Sequence, residues 1–388
     1  MAGIYIHIPF CKKACTYCDF HFSTSLKYTE EMTDAICREL LLKKDRISGQ
    51  VGSIYLGGGT PSVLTAAQLN RIFDTLTQHF SIASAAEITI ETNPDDLNAS
   101  KLAELKQLPV NRFSIGTQSF FDEDLRWMNR AHNAAEAESS IKRSQDAGFE
   151  NLSIDLIYGY PILTDQKWEQ NISTAIDLGV PHISAYSLTV EPKTALAANI
   201  KKGRQIPISD DQSAEQFQTL IRKLALAGFE HYEISNYALP GRYAVHNTNY
   251  WRGIPYLGIG PSAHGFDGTN RYHNIANNAI YLEKLDKNQL AESVEELSNL
   301  DRLNEYLMTS LRTMWGTDLE KIERDFGKVY REETRFNIKP FLDNHWLNLE
   351  ENHFRLSPEG KLFADHIASE LFLIEEHESI IRSKKQSE

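Results

Sequence analysis

This chain is poor in the features that would mark a disulfide-stapled, membrane-spanning or nucleic-acid-binding protein. Its 388 residues hold four cysteines, too few and too clustered for a disulfide framework. No stretch reaches 18 consecutive apolar residues, which excludes a spanning helix. Basic runs stop at the pair Lys384-Lys385, and 40 Lys and Arg face 53 Asp and Glu for a net charge of −13, so nucleic acid is not expected as a partner. The first residues, MAGIYIHIPF, have no basic flank leading into a long apolar core, the pattern of a secretory signal. A cytoplasmic chain is expected. Its 41% hydrophobic content suffices for one large domain and a smaller one.

The cysteines that are there carry the sharpest signal. Cys11, Cys15 and Cys18 fall within eight residues, in CKKACTYC, directly after a strand-like run. Three thiolates on one short loop can hold three corners of an iron–sulfur cube and leave the fourth iron open to chelate a small molecule. Zinc competes, but closed zinc sites need four ligands, commonly as two separated pairs; there is no second pair, and His21 would have to complete the set. Cys37 sits alone in the helical pattern TEEMTDAICRELLLKK and reads as a packing residue.

Along the chain, six short β-branched or apolar runs alternate with helical periodicity: 3–10, 53–59, 87–94, 112–120, 151–159 and 182–190. That rhythm predicts βα units around a parallel sheet. Between the second and third runs, Thr65 is placed to cap a helix over 65–80, with Leu69, Ile72, Phe73 and Leu76 at helical spacing. Six units are fewer than a closed barrel needs, so the fold class expected is α/β: a partial (β/α)6 TIM-like barrel over 1–240. A helix at 212–228 and a strand-like run at 231–238 end that domain. Residues 241–295 read as a Gly- and aromatic-rich linker over the barrel mouth, and 296–388 as a smaller α+β, winged-helix-like domain in a packing or lid role. The polar tail RSKKQSE is expected to fray.

The strand ends predict where a ligand would sit, because barrels present their sites at the C-terminal ends of their strands. The second run ends in Gly57-Gly58-Gly59-Thr60-Pro61, where backbone can approach a ligand closely. The third ends in Glu91-Thr92-Asn93-Pro94, the fourth in Gln118 and the fifth in Asp155, with Arg130 following the fourth. Taken singly, each could be a salt bridge or a capped turn. Together they offer both signs of charge and an amide, as an amino-acid and ribose moiety would need.

The segments YIHIPFCKKACTYCDF, LGGGTPS, ETNP, GTQSF, MNRAH and SIDLIYG resemble the successive motifs of the oxygen-independent coproporphyrinogen oxidase family, a branch of the radical S-adenosylmethionine (SAM) superfamily. The resemblance covers nearly the whole chain. It implies a [4Fe-4S] cluster on Cys11, Cys15 and Cys18, whose open iron binds the SAM amino and carboxylate groups for reductive cleavage to a 5′-deoxyadenosyl radical. By position it assigns Gly58, Gly59, Thr60, Glu91, Gln118, Arg130 and Asp155 to the SAM pocket, with Tyr5 and Tyr17 flanking the cofactor.

The family divides into dehydrogenases and heme chaperones. The dehydrogenases carry a fourth cysteine two residues after the third and a longer N-terminal segment; here Phe20 stands in that position and ten residues precede Cys11. Further on, His246-Asn247-Thr248-Asn249-Tyr250-Trp251 is similar to the HNxxYW motif of the chaperone branch. The resemblance thus implies a protein that binds heme through His246, Asn247, Tyr250 and Trp251 and passes it to acceptor hemoproteins. The cluster and SAM would act in assembly, regulation or peripheral membrane docking. A neutral imidazole can ligate iron while the two aromatics flank the macrocycle; equally, a His-Asn pair before two aromatics can cap a helix and anchor a linker. His264, in GIGPSAHGF, is a further candidate ligand. Two other functions stay open: conversion of coproporphyrinogen III to protoporphyrinogen IX, and a winged-helix regulator sensing iron or redox state, which the net acidity disfavours.

Overall fold

In a computed structural model, residues 1–374 are described, so the tail read as frayed and the end of the 296–388 segment lie outside them. The six expected strands are β1 (Ala2–Ile8), β2 (Val51–Gly58), β3 (Ile82–Thr92), β4 (Arg112–Gln118), β5 (Leu152–Tyr158) and β6 (His182–Ser187), and each pairs in parallel with the next. Ile4, Ile6 and Ile8, Ile54 and Leu56, Ile88 and Ile90, Phe113 and Ile115, and Ile154 and Leu156 are all buried in the one large apolar core, against helices that cover the outer face. One of these helices, Ala66–His79, starts at Thr65, whose side chain accepts from the Gln68 N–H in a reciprocal capping box, and it buries Leu69, Ile72, Phe73 and Leu76.

The opposite face of the same strands is polar and points into the barrel. Arg112 lies 3.8 Å from the Glu87 carboxylate with both side chains buried. Ser153 Oγ is 2.7 Å from His182 Nδ1, and His182 Nε2 is 2.7 Å from the Tyr232 hydroxyl. The Ser153–His182–Tyr232 chain is hydrogen-bonded throughout, whereas Arg112 Nε is buried without a hydrogen-bond partner among the described residues and meets Glu87 by charge alone.

Beyond β6 the structure differs from the sequence-based expectation. The run 231–238 is a hairpin, β7 (Glu230–Glu233) and β8 (Asn236–Ala238), antiparallel to β6. The segment 241–295, read as linker, is instead part of the main sheet: the helix Val245–Trp251 leads into β9 (Tyr256–Ile259), parallel to β1, and then β10 (His264–Phe266), β11 (Asn270–Asn274) and β12 (Glu292–Glu296). The sheet has twelve strands, ordered β12-β11-β10-β9-β1-β2-β3-β4-β5-β6-β8-β7. These late strands are three to five residues long and largely polar, and β9 finds its partner some 250 residues upstream, so no local alternation announces them.

The C-terminal domain has its own core, built on Leu303, Leu307, Ile322, Ile338, Phe354 and Ile367. Helices surround an antiparallel wing of β13 (Thr317–Asp318), β15 (His353–Leu356) and β14 (Leu347–Glu350), the winged-helix-like arrangement expected. It docks on β7 and β8: Ile234 N–H donates to Arg312 O, Met314 N–H to Tyr232 O, and the Arg312 guanidinium lies 3.2 Å from the buried Glu233 carboxylate. No helix among the described residues is long and apolar enough to cross a membrane.

Candidate functional site

The cysteine loop leaves β1 and is pinned at both ends. Cys11 N–H donates to Ser23 O, Ser23 N–H to Pro9 O, and Asn129 Nδ2 to Ala14 O at 2.6 Å. Held this way, Cys11, Cys15 and Cys18 line one cavity of about 400 Å³ at the barrel mouth. Burial pushes the Cys18 thiol up to about 11 and raises Cys11 as well, so both are protonated until a metal takes the proton's place. Among the described residues no three His, Cys, Asp or Glu groups converge on a single ion. In a cube, three thiolates bind three different irons rather than one ion. His21 is outside the lining of this cavity, its Nε2 2.7 Å from Asn278 Oδ1, and it offers no fourth zinc ligand. Cys37 is half-buried on the helix Thr29–Lys43, against the core.

The strand-end residues meet the thiols in the same cavity. Gly59 allows close contact, for a Cβ there would stand 2.6 Å from Phe10 O. Gly58, at φ +106°, turns its N–H to Glu91 Oε2 at 3.1 Å, and the Tyr55 hydroxyl donates to Glu91 Oε1 at 2.7 Å. Burial, with the Asp155 charge adding to it, still pushes Glu91 up to about 7; burial raises Asp155 to about 6. Arg130 is fixed by Asn93 Oδ1 at 2.6 Å and Gly116 O at 2.7 Å, with Nη1 3.3 Å from Cys15 Sγ. Thr60 Oγ1 lies 3.6 Å from Cys11 Sγ and accepts from Asn93 Nδ2. Gln118 takes a left-handed φ of +65°. Its Oε1 and Arg130 Nε are buried with no partner among the described residues. Unpaired buried polar atoms beside two carboxylates and a fixed guanidinium fit a zwitterionic, cationic ligand such as SAM.

The structure therefore gathers Cys11, Cys15, Cys18, Tyr17, Gly58, Gly59, Thr60, Glu91, Gln118, Arg130 and Asp155 around one cavity. Tyr5 borders the adjoining second cavity, which shares Gly58 and Glu91 with the first, and its hydroxyl bonds His7 Nδ1 at 3.1 Å. Two residues organise the site without being candidates from the sequence pattern: Asn93, known there only as part of a strand end, and Tyr55. Asn93 bridges Thr60 and Arg130, and Tyr55 holds Glu91. Both were findable, Asn93 as the residue two after Glu91 and Tyr55 as the inward-facing position two before Gly57.

The HNTNYW segment forms the helix Val245–Trp251, whose first N–H groups, on Val245 and His246, donate to the Glu87 carboxylate at 2.9 Å each. His246 is buried inside the barrel, Nδ1 2.8 Å from Ser53 Oγ and Nε2 2.9 Å from the Tyr250 hydroxyl, stacked on Tyr55. Burial lowers its pKa to about 3. With both ring nitrogens hydrogen-bonded, His246 as placed anchors the helix, and its lone pair is occupied by a hydroxyl donor. Asn247 lines neither cavity. Tyr250 and Trp251 do border the second cavity, of about 1020 Å³, between the barrel mouth and the C-terminal helix Asn299–Leu311. Phe20, 68% exposed, lines both cavities and stands at their junction.

Residues 5–175 match the Radical SAM superfamily and residues 297–363 the HemN C-terminal domain. Over 372 residues the chain is 32% identical to the heme chaperone HemW of Bacillus subtilis, covering 95% of this chain and 98% of that protein. The chain belongs to the HemW family. HemW of Escherichia coli is likewise 32% identical over 399 residues, covering 96% of this chain and 98% of the relative. Among solved structures, the radical SAM enzyme coproporphyrinogen III oxidase (HemN) of Escherichia coli superposes with a TM-score of 0.83 at 24% identity, over 96% of this chain and 90% of that one, and so shares the fold. HemW relatives of this similarity align along both domains.

Proposed function

We propose that this protein is a heme chaperone, which binds heme and hands it to acceptor hemoproteins from a radical SAM scaffold. The observation that carries the reading is the second cavity: at about 1020 Å³ it has room for a flat macrocycle, it adjoins the thiol cavity, and the C-terminal domain forms one wall. The HemW relatives, chaperones by name, support the same reading.

In this reading Cys11, Cys15 and Cys18 hold a [4Fe-4S] cluster, which when bound supplies one-electron reduction. Arg130 and Gln118 receive the polar groups of SAM, the Gly58-Gly59-Thr60 backbone admits it closely, and Glu91 and Asp155 face its positive charge. Phe20, where the dehydrogenases carry a fourth cysteine, sets an apolar ring where the two cavities adjoin.

The test is a hemin titration of the anaerobically reconstituted protein, followed by transfer to an apo-hemoprotein. Stoichiometric uptake and transfer are expected. No binding, or formation of protoporphyrinogen from coproporphyrinogen with SAM and reductant, would overturn the reading in favour of the dehydrogenase.

A further inference from the structure

The second cavity is bordered by three imidazoles, and their surroundings separate them. His7 is engaged on both sides, Nε2 2.9 Å from His21 O and Nδ1 3.1 Å from the Tyr5 hydroxyl. His21 Nε2 is held by Asn278. His264 has no hydrogen bond on either ring nitrogen among the described residues, and it opens on the cavity from β10.

Its backbone is fixed even though its ring nitrogens are free. The turn before it closes through Ala263 N–H to Gly260 O, with Ser262 at φ +65°, and Asn274 N–H returns to Ala263 O. Gly258 of β9 lies so close that a Cβ there would stand 2.0 Å from His264 O. The ring stacks at 5.9 Å on His273, whose Nε2 is 2.8 Å from Ser293 Oγ. A ring positioned from a paired strand, with its nitrogens unspent, is arranged as an axial ligand is.

The cavity also carries unspent cations. Arg271 pairs with Glu305 and Lys321 with Asp325, but Arg252 and Arg302 have no carboxylate partner among the described residues. Arg252 rests on the Trp315 ring at 4.4 Å and Arg302 bonds Asn299 Oδ1. One comes from the barrel side and one from the C-terminal domain. Trp251, Tyr256, Phe266, Tyr306 and Phe326 supply the apolar surface between them.

We propose that heme is held in this cavity, with His264 giving the iron an axial nitrogen and Arg252 and Arg302 receiving the two propionates. Because the arginines sit on different domains, the propionates bridge the domain interface, and heme release couples to parting of the two domains. Burial, together with His273 and Arg271, lowers the His264 pKa, which keeps the imidazole neutral and its lone pair available near pH 7. The assignment rests on the heme-binding reading given above.

The experiment titrates the reconstituted full chain with hemin and, separately, with heme dimethyl ester, reading the Soret band and the electron paramagnetic resonance of the ferric iron. Wild type is expected to give an imidazole-ligated spectrum at one heme per chain. His264→Ala should lose that spectrum and bind at least tenfold more weakly, added imidazole should restore the spectrum, and His79→Ala, at the end of the outer helix Ala66–His79, should change neither; loss of the spectrum in His21→Ala with His264→Ala unaffected would overturn the assignment. Arg252→Ala combined with Arg302→Ala should weaken hemin binding at least tenfold and leave the dimethyl ester unaffected, because the ester has no carboxylates to lose. If wild type binds hemin and His264→Ala gives the same spectrum and affinity, the assignment is overturned while the chaperone reading stands. If wild type binds no hemin, both fall. His264 is exposed on a short strand, and unchanged far-ultraviolet circular dichroism of the variants keeps these outcomes separable from misfolding.

Discussion

Replacing Glu91 with Gln should flatten the pH dependence of stability of the cluster-free chain. The Glu91 carboxyl sits in the cavity wall beside Asp155, and its folded pKa of about 7 exceeds the ordinary 4.5. The folded chain therefore holds a proton that the unfolded chain releases. Stability from this group is fully present below about pH 4.5 and is lost as pH rises through about 7. The difference corresponds to about 3 kcal/mol, an upper bound because solvent reaches the cavity. Gln keeps the volume and one of the two hydrogen bonds from Tyr55 and Gly58, losing about 1 kcal/mol with the other. A net gain of about 1–2 kcal/mol is expected at pH 8 and none at pH 4.5. Asp155, raised to about 6, acts with the same sign at lower pH, and the two titrate as a pair, so the double variant with Asp155→Asn should remove the remaining slope. The assay is urea unfolding at 25 °C from pH 4.5 to 8, without oxygen and with a chelator. A Glu91→Gln chain that keeps the wild-type slope would refute the reasoning. In the cluster-loaded protein, SAM binding near pH 7 should release a proton, seen as a buffer-dependent heat in calorimetry.

Cys15→Ser should abolish the visible absorbance of the reconstituted cluster with the far-ultraviolet circular dichroism unchanged, and a fully absorbing variant would sink the ligand assignment. His246→Phe, which strands Ser53 and Tyr250, should lower stability by about 2–4 kcal/mol in urea unfolding and leave the hemin spectrum of the folded fraction intact. Since His246 is held near 3, wild type should also lose stability as pH falls below about 6.5, a slope the Phe variant lacks. Arg312→Ala, which leaves the buried Glu233 without its cation, should weaken domain docking by about 2–4 kcal/mol, visible as earlier proteolysis between the domains.

The parts of the fold legible in the sequence are those with a strong local period. β1 to β6 carry β-branched residues on one face, and burial of Ile4, Ile6, Ile8 and their counterparts on neighbouring strands leaves each register one choice. The cavity residues at the strand ends were legible for a related reason: a parallel sheet brings every strand's C-terminal end to one rim, so Gly58, Glu91 and Gln118 meet whatever separates them in sequence, while Asp155, expected at the end of its strand, sits at the middle of β5 and reaches the same cavity from inside the barrel. β9 to β12 had no such signal. The strand ESVEE is mostly exposed and pairs with another polar strand, so neither composition nor alternation distinguishes it from a loop. Tyr5 follows the same logic from β1: it borders the adjoining cavity, which shares Gly58 and Glu91 with the thiol cavity.

The two histidines show where sequence reasoning stops. His246 lies in a motif and His264 in a Gly-rich turn, so spacing favours the first. Ligand capacity, however, depends on an accessible lone pair, and a hydrogen-bond donor that occupies it must first be displaced. Ser53 and Tyr250 reach His246 from a strand nearly 200 residues away and from one helical turn on, and Glu87 ties its backbone into the barrel. The motif then acts as the joint that carries the chain from β8 back across the barrel to β9, beside β1. That joint sets Tyr250 and Trp251 against the second cavity and leads on to β10, so the six residues that hold His246 inside also bring His264 to the edge of that cavity.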